Sequence, residues 1–159
     1  MAYKLILICC LLVIFAACGV SKKEADEAYK NGIEHLSSIK KQPDKKADAL
    51  YFLLIAVKND KYKTADNAII ITSLAADIYS NPTNLTLDDK FRLEKDIITG
   101  CKLLNEIYNA DNEKEKLKCK AEIVNIIRSS LPIYSTIRAA LTNKDNNLYN
   151  KFVTISNNS

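Results

Sequence analysis

His35 is the only histidine in the chain, so any Ser-His or Cys-His catalysis would have to run through it. It stands beside Leu36 with no nucleophile motif around it and reads as a packing or surface residue. Nucleotide and zinc chemistry have no better footing: the sequence has no HExxH, no paired CxxC and no Gly-rich loop that could cradle a phosphate. Carboxylates cluster at Asp88-Asp89 and at Asp111, Glu113 and Glu115. Each cluster opens a predicted helix, where acids favour the positive end of the dipole, and that placement accounts for them without catalysis. The expectation is a protein that is not an enzyme, with no catalytic residue, cofactor, metal or small-molecule substrate assigned.

The remaining reactive side chains are five cysteines, and their surroundings sort them. Cys9 and Cys10 fall inside a thirteen-residue apolar run from Leu5 to Ala17 that follows Lys4. A spanning helix needs about 20 apolar residues, so the run is too short to cross a bilayer. Its charged start, apolar middle and small residues at the exit give it the three parts of a secretion signal. Residues 1–17 are therefore read as a cleaved signal peptide, with Cys9 and Cys10 as filler of its apolar middle.

At the exit stand Phe15-Ala16-Ala17-Cys18, followed by Gly19. This resembles the lipobox of bacterial lipoproteins, with Phe15 where Leu, Val or Ile is usual. The resemblance implies a diacylglyceryl thioether on Cys18 and an acyl chain on its amine, more chains than the two that hold a protein stably on a bilayer. Residues 18–23 then form the lipid anchor and tether, and the address is the bacterial cell envelope. Gly19 rather than Asp after the cysteine favours the outer membrane by the sorting rule of enteric lipoproteins. Lys22 and Lys23 would lie near the headgroups, where each contributes about 1 kcal/mol against an anionic surface.

Cys101 and Cys119 are then the two thiols left in the exported chain. They lie nine residues before and nine after Ala110, in the middle of a predicted turn. An antiparallel hairpin would set them at equal height in an oxidising compartment, which suits a disulfide. Two buried free cysteines acting as small apolar fillers fit the same positions. Both alternatives stand at this point.

The elements that must position these groups are helices. Three Gly and three Pro are too few for the many tight turns of a compact all-β fold. Ser21 and Glu24 have capping-box spacing, and Ala25, Ala28, Tyr29, Gly32, Ile33 and Leu36 then recur at steps of three and four. Lys40 to Pro43 ends that helix and Asp44 is placed to cap the next. From Ala47 to Val57 only Asp48 is charged, which predicts a helix buried on several sides and places it at the centre of the core. Thr64 to Tyr79 forms a third helix, stopped by Pro82. Thr86 caps a fourth, and Asn112 with Glu115 starts a fifth that Pro132 breaks or kinks. A sixth runs from Ile133 to Leu141, capped by Ser129 or Ser130. Polar composition after Asn143 predicts fraying at 156–159.

Tyr29 and Gly32, followed by Ala49, Leu53 and Ala56, resemble tetratricopeptide-like helical repeats over residues 24–60, with an insertion at Lys40 to Lys46. The fold expected is all-α: an antiparallel helical bundle, or a short helical-repeat array, of about six helices after the cleaved signal peptide. Residues 24–155 form its single helical domain. An exposed groove between the first and third helices is the expected partner site.

The formal net charge of +4 is divided between 23 basic and 19 acidic groups without a basic stripe, so no nucleic acid is expected as a partner. Lys40, Lys41, Lys45 and Lys46 read as a solvated loop. The function expected is a protein-binding scaffold or assembly accessory of the envelope, held to the membrane through Cys18. The alternatives are a surface adhesin and, from the enzyme class, a cell-wall hydrolase, although the Glu-Ser pair typical of lytic transglycosylases is missing.

Overall fold

The computed structural model describes residues 19–81 and 85–159. Among them the chain is all-α, with seven helices and no strand: α1 Lys22–Ser38, α2 Lys45–Ala56, α3 Ala65–Ser80, α4 Leu87–Tyr108, α5 Glu113–Arg128, α6 Pro132–Lys144 and α7 Asn146–Asn157. A 3₁₀ turn, Asp60–Tyr62, links α2 to α3. Most starts follow the capping chemistry of the sequence. Ser21, Thr64 and Asn112 each accept a hydrogen bond from the backbone N–H three residues on. Thr86 and Asp89 complete a reciprocal capping box. Asp44 occupies the N-cap of α2 but makes no side-chain cap, because its backbone is already helical rather than extended. Pro82 lies outside the described residues; α3 ends at Ser80 with Asn81 as its C-cap.

Two expectations about the C-terminal third are corrected. Pro132 does not kink α5 but opens α6 at its first helical position, where the missing N–H costs nothing. Neither Ser129 nor Ser130 caps that helix; Leu131 is its N-cap. The carbonyls of Ile126 and Ser129 at the end of α5 accept instead from the Arg138 guanidinium, at 2.6 and 2.8 Å. The polar tail is a seventh helix that reaches Asn157, with Asp145 capping the Leu148 N–H at 3.1 Å. Leu148 and Phe152 on one face of α7 are buried, and so is Ser156, in the segment expected to fray.

α3 rather than α2 is the centre of the molecule. It packs against α2, α4, α5 and α6, and Ala68, Ile71, Thr72, Ala75 and Ala76 are fully buried. α2 packs mainly on α1 and α3. Ala49, Leu50, Leu53 and Ala56 are buried on it, while Tyr51 is 62% exposed. A helix apolar all round normally has neighbours all round, and α2 has them on two sides.

Candidate protein-binding groove

Both α2 and α4 rest on α3 and pack far more on it than on one another, with a trough between them. Two hollows of about 360 and 490 Å³ lie along it and share Leu54 and Asp96. The first is the more apolar, with Leu50, Tyr51, Ile78, Leu85 and Leu93 in its walls and Arg92 at its edge. The second adds Val57 and Leu103 beneath a rim of Lys58, Lys63, Lys95, Lys102 and Glu106. The groove expected between the first and third helices is thus between the second and fourth, because α1 docks on α2 and the trough opens on the opposite flank.

Rim charges differ in what they already hold. Lys63 pairs with Asp60 at 2.9 Å and Glu106 at 3.1 Å, Lys102 with Asp145 at 3.4 Å and Arg92 with Asp89 at 3.7 Å. Lys58 and Lys95 are exposed, line the same hollow, and make no ion pair among the described residues. Asp96, where the two hollows meet, is partly buried, and loss of water raises its carboxyl above the usual carboxylate range.

The chain enters the fold at one end of this trough. Gly19 lies close to the Lys58 carbonyl, and the Asn59 side-chain amide donates to the Val20 carbonyl at 3.4 Å. Val20 also packs on the small cluster of Ala25, Ala28, Ala56 and Tyr62. The first two described residues, Gly19 and Val20, thus lie against the end of the trough, and Cys18 lies outside the described residues.

The other residues singled out from the sequence have structural occupations. His35 stacks on Phe52, ring centres 5.5 Å apart. Hydrogen bonds from Thr86 hold Asp89 below its ordinary range. Glu115 turns away from its own helix and accepts from the Ala65 N–H at 2.7 Å, capping α3 from α5. Lys45 pairs with Asp48 and Lys46 with Asp77, whereas Lys40 and Lys41 are exposed.

Cys101 and Cys119 are fully buried free thiols, and the bridge held open as one alternative is not formed. Different charged groups act on the two thiols: Glu122 and Asp145 on Cys101, and Glu115, Asp66 and Lys118 on Cys119. Burial pushes the Cys119 thiol up to about 11 and Cys101 further, so neither is a ready nucleophile.

One group was missed. Glu122 on α5 is 7% exposed, with Tyr134 and Asn125 donating to Oε2 at 3.4 and 3.5 Å and Oε1 left without a partner. Its place among the charged residues of α5 gave no signal. Among the described residues no cluster of His, Cys, Asp or Glu is arranged to hold a metal ion, and no helix is long and apolar enough to cross a membrane. No family model, curated protein or solved structure matches the chain.

Proposed function

We propose that the protein is a lipid-anchored scaffold or assembly accessory of the bacterial envelope, holding another protein in the α2–α4 groove. The observation that carries this reading is the open flank of α2, a helix apolar all round after its first turn, which packs mainly on two neighbours and leaves Tyr51 exposed. The lipobox-like Phe15-Ala16-Ala17-Cys18 supports the anchor, and the packing of Gly19 and Val20 on Lys58 and Asn59 supports a position for it beside the mouth of the groove. A partner held there would lie close to the membrane surface.

Two measurements on the full chain in its own envelope test the reading. A fatty-acid label should mark the wild type and not Cys18→Ala; equal labelling would remove the anchor. A photo-cross-linking residue at Tyr51 should give one protein adduct that is absent when the same residue stands at Leu117, which is 64% exposed on α5. No adduct at Tyr51, or the same adducts at both positions, would remove the scaffold.

A further inference from the structure

We infer that the groove takes an acidic amphipathic helix of the partner, its apolar side on Tyr51 and Leu54 and its carboxylates between Lys58 and Lys95. This rests on the scaffold reading and names the partner's chemistry.

The shape selects a helix. Along α4 the wall runs from Arg92 to Glu106, about 21 Å at 1.5 Å per residue, which accommodates roughly four helical turns. The facing wall runs from Ala47 to Lys58. Both walls are helices whose backbone groups are already hydrogen-bonded, so an extended segment would find no edge to pair with. A helix satisfies its own backbone and needs only an apolar stripe at steps of three and four. A flat headgroup layer would reach the rim lysines but not Leu54 between the walls.

The charge selects the sign. Five cationic side chains line the trough against two carboxylates. Three of the five are already in ion pairs, and the two that are not, Lys58 and Lys95, flank the end nearest Gly19. A basic helix would set like charges against both, which costs more than matching charges gain at a wet rim. Asp96, also without an ion-pair partner among the described residues, offers one acceptor on the α4 wall where the two hollows meet and so favours a single register for a donor on the bound helix.

The lipidated full chain, in nanodiscs of zwitterionic lipid, would be titrated against two fluorescent designed helices of about 16 residues that share one apolar stripe, with Glu on the polar side of one and Lys on the other. Empty nanodiscs give the background. The acidic helix should bind about tenfold tighter at low salt, the preference should shrink as salt rises, and Lys58→Glu with Lys95→Glu should reverse it. Both lysines are exposed, so an unchanged melting temperature confirms that this variant is folded. Equal binding of the two helices, indifference to the double substitution, or displacement by phosphatidylglycerol vesicles in preference to the unlabelled acidic helix would each overturn the inference. The scaffold reading fails separately: it falls if the acidic helix binds but Tyr51 captures nothing in the envelope, and it survives if Tyr51 captures a protein through a segment that is not acidic.

Discussion

The α1–α2 and α3–α4 pairs each place a glycine where two helices meet, and the glycines face different things. A Cβ on Gly32 of α1 would come within 3.0 Å of Leu53 Cγ and 3.1 Å of its Cδ2, the end of a flexible side chain. A Cβ on Gly100 of α4 would come within 2.2 Å of Thr72 Oγ1, 3.0 Å of the Thr72 nitrogen and 3.2 Å of its Cα. Thr72 Oγ1 is also fixed, donating to the Ala68 carbonyl at 2.8 Å. The outer pair is thus spaced by a side chain that can shift, and the central pair by backbone that cannot. On the proposed scaffold reading, the groove then has one wall, α2, set by the yielding contact and the other, α4, set by the rigid one.

The comparison breaks most readily at Leu53, which is fully buried and closes the α1–α2 contact. Leu53→Asp would place an unpaired charge there and should cost at least about 4 kcal/mol, enough to unfold a marginal domain. Thermal unfolding of the full chain followed by circular dichroism would measure it. A change within a degree or two in melting temperature would mean that α1–α2 is not part of the cooperative fold.

Gly100→Ala should follow, at about 3 kcal/mol, because relief requires moving α3 against α4 in the most buried part of the molecule. Thermal melts give the difference, and a stabilised variant would show that the central contact is as soft as the outer one.

These contacts show where sequence reasoning stopped. Helix starts were legible because a cap is local: Ser21, Thr64, Thr86 and Asn112 each meet a backbone N–H three residues away. The apolar stripe of α4, with Gly100, Cys101 and Leu104, was legible for the same reason, and all three are buried. The seventh helix was there to be read in Asp145, Leu148 and Phe152, but asparagine-rich composition hid its period. That Glu115 caps α3, or that α2 keeps one flank open, depends on which helices become neighbours, and no local spacing carries that information.

Beyond the two pairs, α5 carries an electrostatic burden of its own in Glu122. Burial raises the Glu122 carboxyl above its ordinary range. The folded state therefore holds that proton more tightly than the unfolded chain, and the protein loses stability as pH rises from the ordinary carboxylate range through the raised value. Glu122→Gln removes this loss. Its melting temperature should match the wild type near about pH 4 and exceed it increasingly toward about pH 7. Parallel curves across that interval would place the ionised carboxylate in good contact with water.

Gly32→Ala should have the smallest effect, and it is the sharpest test of the comparison because two opposing terms nearly cancel. Alanine in a helix interior gains about 1 kcal/mol over glycine through backbone entropy, and α1 carries Gly32 well inside its range. Against that gain, Leu53 must give by a few tenths of an ångström to admit the new methyl. A Cβ would meet the branch carbon Cγ and the Cδ2 of Leu53, with its backbone nitrogen at ordinary contact distance, 3.4 Å, so the adjustment is a small χ rotation, at a cost on the order of 1 kcal/mol. The net should lie within about 1 kcal/mol of zero, and Gly100→Ala should be less stable than Gly32→Ala by about 2 kcal/mol or more. Paired melts of the two variants would read that gap directly. If Gly32→Ala destabilises as much as Gly100→Ala, the outer pair is as tightly set as the central one, and the picture of one yielding and one rigid groove wall fails with it.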